Sequence, residues 1–165
     1  MGITAPSLLS SGHDLTNFKS GNPSLDDWLV KQAQKNQDRG FSRVYVVTEG
    51  NAHSVVGYYA VAMGSIQRSE AMASLRRNSP EAIPMVVLGR LAVDNRYHGR
   101  GIGAGLLKDC VIRSAASMAA VGGAGLLVHA IDDAAVSFYT KFGFTPSPLS
   151  SRTLMARIKD IQASL

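Results

Sequence analysis

Cysteine is almost missing from this chain: Cys110 is the only one among 165 residues. A single thiol cannot close an internal disulfide, which suits a reducing compartment. Its place inside a helical apolar pattern reads as a small buried hydrophobe, not a nucleophile. No apolar run reaches the roughly 18–20 residues of a membrane helix, so no membrane span is expected. The start of the chain lacks a basic segment followed by a long apolar stretch, so no secretory leader is expected, and the cytoplasm is the expected compartment. Repeats, low-complexity tracts and linker-like segments are absent too. Charge is sparse, 18 % of residues, yet 17 Lys and Arg outweigh 12 Asp and Glu to leave +5. Such an excess suits a polyanionic partner, nucleic acid or a polyphosphate, and surface solubility alone would also account for it.

What is present is enough for one domain over residues 1–165, with 45 % apolar residues to fill a core. Ile3 to Leu9 is a first, weakly marked strand. Ser24, with Asp27 three residues on, reads as the cap of a helix running to Asp38, with Leu25, Trp28, Leu29 and Ala33 as its apolar stripe. Lys31, Lys35 and Arg39 recur every four residues beside Trp28, and Gly40 stops the helix. Arg43 to Glu49 and Val55 to Met63 form an antiparallel hairpin about the turn Gly50–His53. Ser69 caps a short helix through Arg77. Pro84 to Val93 is mostly apolar and reads as a central strand buried on both faces. A long helix follows from Gly101 to Ala120. Ile102, Leu106, Leu107, Cys110, Val111 and Met118 face inward, and Lys108, Asp109 and Arg113 outward. Leu126 to Ala130 is a buried strand, Asp132 caps a helix over Asp133–Phe142 that Gly143 closes, and Leu154 to Ile158 is the last strand, after a stretch that Pro146 and Pro148 interrupt. The fold class is α/β (α+β), a mixed sheet of six to seven strands flanked by about four helices.

The stretch Val86 to Ala104 organises the rest. An apolar strand ends at Val93, and Arg96-Tyr97-His98-Gly99-Arg100-Gly101-Ile102-Gly103-Ala104 leads into the long helix. Glycines in alternation at the mouth of a helix let successive N–H groups point one way, at the positive end of the helix dipole, which suits a pyrophosphate. The dinucleotide fingerprint does not fit, and no acidic residue closes a strand about twenty residues later. A Walker A loop is excluded because no Lys-Ser/Thr ending follows. The block resembles instead the acetyl-coenzyme A loop of the GNAT N-acetyltransferases, Gln/Arg-x-x-Gly-x-Gly/Ala, as Arg96-x-x-Gly99-x-Gly101. A second GNAT pattern, Asn-x-x-Ala-x-x-Leu/Phe-Tyr-x-x-x-Gly-Phe, is similar to Asp132 through Phe144, with Ala135, Phe138, Tyr139, Gly143 and Phe144 in register and Asp132 in place of Asn.

The resemblance implies a GNAT fold whose mostly antiparallel sheet splays into a V, and acetyl transfer from acetyl-CoA, the acetyl-donating co-substrate, to an amine without a metal. It places the pyrophosphate on the amides of His98, Gly99, Arg100, Gly101, Ile102, Gly103 and Ala104, with charge added by Arg96 and Arg100. The pantetheine would pair with the edge of Gly89 to Val93, so that Leu91, Ala92 and Val93 line it and amides near Leu91 hold the thioester oxygen. Asp132, Ala135 and Phe138 complete the donor site. Tyr139, protonated at neutral pH, would serve as the general acid for the leaving thiolate, although its spacing alone also fits an aromatic that only packs its helix. The strands Val44–Thr48, Val55–Met63 and Pro84–Val93 carry no carboxylate to act as base. Either water takes the proton or the amine is already largely neutral, which modestly favours an α-amine over a lysine side chain.

The similarity extends to one subfamily, carried by Gly21-Asn22-Pro23-Ser24-Leu25-Asp26-Asp27-Trp28-Leu29, Ile83 to Val93, Val128-His129-Ala130, Pro146-Ser147-Pro148 and Leu154-Met155. These look like the TacT-like acetyltransferase toxins of type II toxin–antitoxin pairs. That resemblance implies transfer of acetyl to the α-amine of aminoacyl-tRNA by direct attack in a ternary complex, which blocks translation. It also implies a ribbon-helix-helix antitoxin as partner and a homodimer. Lys31, Lys35, Arg39, Arg76, Arg77 and Arg90 are the candidates for touching charged tRNA, each equally explicable as a solvated surface cation. The alternative is a GNAT enzyme acting on a small amine or a protein N-terminus.

Overall fold

The computed structural model describes residues 2–162. Its strands are β1 (Ser7–Leu8), β2 (Arg43–Thr48), β3 (Val55–Gln67), β4 (Ala82–Val93), β5 (Leu126–His129), β6 (Thr145–Ser147) and β7 (Ser150–Ala156). Its helices are α1 (Pro23–Lys31), α2 (Ala33–Asp38), α3 (Ala73–Arg76), α4 (Ile102–Val121), α5 (Asp133–Lys141) and α6 (Ile158–Gln162). The strands form a seven-stranded, mostly antiparallel sheet in the order β1-β2-β3-β4-β5-β7-β6. Two compact units emerge, Met1–Ala62 with Arg90–Asp109, and Met63–Gly89 with Cys110–Leu165.

In the first unit, β2 and β3 pair antiparallel from Arg43↔Val61 to Thr48↔Val55. Leu9, Phe18, Leu25, Leu29, Val44, Val46, Tyr58 and Ala92 form its core. The start of α4 sits close against β3, because Gly57 has no side chain: a Cβ there would lie 3.2 Å from Leu106 and 3.4 Å from Ile102. Several expectations change here. The cap of α1 is Asn22, whose side chain accepts from the amides of Ser24 and Leu25, with Pro23 in the first turn, where its missing N–H costs nothing. The helix expected to run to Asp38 breaks at Gln32. Leu25, Leu29, Ala33 and Gln37 recur every four residues, and at 100° per residue such a row drifts off the core face of a straight helix; the break realigns Ala33 and Gln37 with it. Gln37 then donates to Leu9 O and accepts from Val44 N, both at 2.8 Å. The first strand shrinks to Ser7–Leu8 with an isolated bridge Ile3↔Glu49, since Pro6 cannot donate to a ladder.

In the second unit, β4 and β5 run parallel through Val86↔Leu126, Val87↔Leu127 and Leu88↔Val128, while β4 itself continues to Val93. Antiparallel β7 lies between β5 and β6. Ile66, Ala71, Leu75, Ile83, Met85, Leu127 and Met155 form the core of one face. β4 is not buried on both faces throughout: Ala82, Pro84 and Gly89 are exposed, and Val87, Arg90, Leu91 and Val93 are half-buried. The expected helix from Ser69 is a 3-10 turn, Arg68–Glu70, followed by the four-residue α3. Met72 is extended there and its amide donates to Met155 Sδ at 3.2 Å, which displaces the helix start. The last strand ends at Ala156, and Ile158 opens α6. Six helices therefore replace the expected four among the described residues.

Candidate active site

The glycine loop starts where β4 ends. Asp94, 1 % exposed, receives the amides of Arg96 at 3.0 Å and Lys19 at 3.1 Å. The Arg96 guanidinium folds back onto the same carboxylate, Nε at 3.0 Å and Nη2 at 3.2 Å. Burial alone would push this carboxyl up. The Arg96 hydrogen bonds, the Lys19 amide and the guanidinium charge outweigh burial and hold it below the usual carboxylate range. The loop is tied further by Asp94 N to Val56 O and Asn95 N to Lys19 O, each 2.8 Å.

Past this anchor, Gly99 and Gly101 take φ of +81° and +77°, values that strain any residue with a Cβ. The first bond inside α4 is Gly105 N to Gly101 O at 3.0 Å. The amides of Ile102, Gly103 and Ala104 therefore stand at the positive end of a 20-residue helix. A Cβ at Gly99, Gly101 or Gly105 would meet nothing within 4 Å, so the space over this helix end is open. Gly103 lies within the helix and does not use glycine's freedom. His98 Nε2–H donates to Val93 O at 2.7 Å. Arg100 lies over the Tyr97 ring, 4.9 Å from its centroid, and 3.6 Å from Glu49, which also accepts from Tyr97 Oη at 3.3 Å. A cleft of about 260 Å³ flanks the helix start, lined in part by Thr4, Val47, Arg100, Gly101 and Leu106. A concave row of N–H donors with one surface guanidinium is chemistry that fits a pyrophosphate. Leu91 and Val93 are half-buried and Ala92 is buried on the strand leading in.

In the second unit, Asp132 Oδ1 accepts from Ala135 N at 2.8 Å and caps α5. Tyr139, 6 % exposed, packs edge-on against Phe138 and Phe144, with centroids 5.1 and 5.4 Å away. Burial pushes its phenol well above the ordinary range, and neighbouring Cys110 adds to this. Its hydroxyl has no hydrogen-bond partner among the described residues, yet the oxygen is not sealed from solvent. A buried ring with a protonated, unengaged hydroxyl is able to donate a proton.

Lys31, Lys35 and Arg39 are all exposed, but the break at Gln32 divides Lys31 from the other two. Arg90 stacks on Trp28, 4.2 Å from the ring centroid. Arg76 and Arg77 are exposed at the end of α3, in the second unit. Sequence reasoning misses Asp94, Glu49 and Tyr97. An acid two residues before Arg96 marks a turn, but nothing nearby announces its burial. Asp109, expected outward, accepts instead from the buried Tyr59 hydroxyl. No group of three or more His, Cys, Asp or Glu among the described residues is arranged to hold a metal, and no helix there is long and apolar enough to cross a membrane.

Residues 40–146 match the family model described as Acetyltransferase (GNAT) domain. The chain belongs to the GNAT acetyltransferases. It is 42 % identical over 162 residues to the tRNA-acetylating toxin of Mycobacterium tuberculosis (strain ATCC 25618 / H37Rv), covering 98 % of this chain and 96 % of that protein. It is 31 % identical to the probable toxin TacT of Sinorhizobium fredii (strain NBRC 101917 / NGR234), over 82 % of this chain and 80 % of that one. Among solved structures, AtaT complexed with acetyl-methionyl-tRNAfMet superposes with a TM-score of 0.89 at 28 % identity and 98 % of both chains. A Tyr→Phe variant of AtaT bound to the C-terminus of the antitoxin AtaR and acetyl-CoA gives 0.82 at 26 % identity, over 99 % of this GNAT chain and 97 % of that one.

Proposed function

We propose that this GNAT chain is a toxin that moves the acetyl group of acetyl-CoA onto the α-amine of aminoacyl-tRNA and so blocks translation. The observation that carries the reading is the 42 % identity, over 98 % of the chain, to a tRNA-acetylating toxin. The whole chain works as one catalytic domain. Acetyl-CoA lies with its pyrophosphate on the N–H groups from His98 to Ala104 and beside Arg100, and with its pantetheine along Leu91, Ala92 and Val93, while Asp132, Ala135 and Phe138 shape the helix that carries Tyr139. Tyr139 donates its proton to the sulfur that leaves. Lys31, Lys35, Arg39, Arg76, Arg77 and Arg90 supply cations for the tRNA backbone. The toxin works in the cytoplasm, as a homodimer held in check by a ribbon-helix-helix antitoxin.

The test is incubation with acetyl-CoA and a mixed pool of charged tRNA, then nuclease digestion and mass spectrometry of the 3′-terminal adenosine esters. N-acetyl-aminoacyl adenosine is expected. Its absence, together with acetylation of free amines or peptide N-termini, would replace this reading with the small-amine one.

A further inference from the structure

The strands β2, β3 and β4 carry no carboxylate or histidine, so a side-chain base for the attacking amine, where one acts, lies outside them. His129 closes β5. Alternation along a strand sends Leu127 and His129 to one face of the sheet and Leu126 and Val128 to the other. Leu127 joins Met155, Ile66, Ala71 and Leu75 in a buried cluster, so His129 stands on that same face, one step past the covered part, and is exposed. It is also the first β5 residue beyond the parallel ladder, whose last pair is Leu88↔Val128.

Its ring has one polar neighbour, on the adjacent strand. His129 is cross-strand from Thr153, and its Nδ1 lies 3.4 Å from Thr153 Oγ1. The Thr153 hydroxyl in turn donates to Ser150 Oγ at 3.4 Å. If that proton goes to Ser150, Thr153 Oγ1 accepts from Nδ1–H, and Nε2 is left as the acceptor of the ring. A histidine with one nitrogen tied by an orienting partner and the other presented as an acceptor has the arrangement of a general base.

We propose that His129 is the general base on the acceptor side, and that Thr153 is the positioning residue that fixes its tautomer. This rests on the aminoacyl-tRNA reading above. The amine nitrogen forms the new C–N bond with the thioester carbonyl carbon, and the C–S bond breaks. The proton shed by the amine goes to His129 Nε2, and the sulfur takes the Tyr139 proton to leave as the thiol. Solvent then returns the surplus proton of the imidazole to the phenolate.

The experiment compares wild type, His129→Ala, His129→Gln and Thr153→Val in steady-state acetylation of a charged tRNA pool, with and without added imidazole, alongside acetyl-CoA affinity and thermal melting. His129→Ala and His129→Gln are expected to lower kcat by about 100-fold or more and to melt with the wild type. Their acetyl-CoA affinity should stay within about twofold, because the substitution leaves every residue of the loop at the mouth of α4 unchanged. Free imidazole should restore His129→Ala, and not the wild type, by about tenfold, by taking over the missing proton transfer. Thr153→Val should lose about tenfold in kcat with KM for tRNA unchanged. Wild-type kcat in His129→Ala, a loss confined to KM for tRNA, or a kcat loss that imidazole leaves untouched would each overturn the proposal. A wild-type protein inactive on every charged tRNA would instead refute the aminoacyl-tRNA reading itself.

Discussion

Replacing Tyr139 by Phe removes one oxygen and keeps the ring that packs between Phe138 and Phe144. The hydroxyl has no partner among the described residues, so the change breaks no hydrogen bond of the fold. Stability should therefore move by no more than about 0.5 kcal/mol. Acetyl-CoA affinity should hold, since the loop at the mouth of α4 is untouched. Turnover is another matter. If Tyr139 protonates the leaving sulfur, its loss removes general acid catalysis worth about 10²–10⁴ in rate, or about 3–5 kcal/mol of barrier. The assay is rapid-quench, single-turnover transfer of radiolabelled acetyl from enzyme-bound acetyl-CoA to a charged tRNA pool, with affinity measured separately by calorimetry. The pH profile is a second, independent readout. An acid works only while protonated, and burial raises this phenol above its ordinary range. The wild type should thus show no alkaline fall assignable to Tyr139 up to about pH 10, the ordinary phenol value. A Tyr139→Phe protein within about threefold of wild type in the single-turnover step would refute the reasoning and leave the ring as packing alone.

Asp94→Ala should destabilise the protein by about 2–3 kcal/mol, because it leaves the loop amides of Arg96 and Lys19 without their acceptor, and it should weaken acetyl-CoA binding through the loop; differential scanning calorimetry and calorimetric titration read both. The Asp94 carboxyl is depressed in the fold, so its contribution to stability is full above the unfolded value of about 3.9 and is lost as pH falls through the lower folded value; melting scans should show an acid-side loss there that Asp94→Asn lacks. Gly101→Ala meets open space but must hold φ near +77°, which costs about 1–2 kcal/mol and should raise the acetyl-CoA Kd by about tenfold; unchanged affinity would remove this turn from the donor site. Arg90→Ala loses the stack on Trp28, about 0.5–1 kcal/mol, and should lower the salt slope of tRNA binding by about one in filter-binding assays if Arg90 meets a phosphate.

What the sequence disclosed was what local rules govern. Three spaced glycines before a 3.6-residue apolar period announce α4 and its mouth, and Asp132 caps α5 through its bond to Ala135. What it concealed depends on partners far along the chain. Asp94 reads as a turn residue until the Lys19 amide, 75 positions away, is found on its carboxylate. Asp109 sits on the polar side of the helical period beside Lys108, yet the Tyr59 hydroxyl, 50 positions away, reaches it; a period averages over a face and cannot register one distant donor. The break at Gln32 follows from the needs of Leu9 and Val44, which Gln37 bridges. β7 begins in Ser150-Ser151-Arg152-Thr153, a stretch too polar to stand out, and becomes a strand because β6 pairs at Ser150 and β5 takes up the ladder from Thr153.

The cations of the loop carry the same lesson into the chemistry. Residue type marks Arg96 and Arg100 alike as phosphate ligands, but their surroundings separate them. The Arg96 guanidinium is committed through two hydrogen bonds to a carboxylate that is 1 % exposed, and withdrawing it would leave that buried charge with backbone amides alone and no countercharge. Arg100 holds Glu49 at 3.6 Å across an exposed pair, and such pairs are worth little enough to be exchanged for a better anion. In the function proposed above, a pyrophosphate on this turn would therefore rest first on its N–H groups, fixed by Gly99 and Gly101, and second on Arg100. Arg96 and Asp94 act one step back, by holding those N–H groups in line.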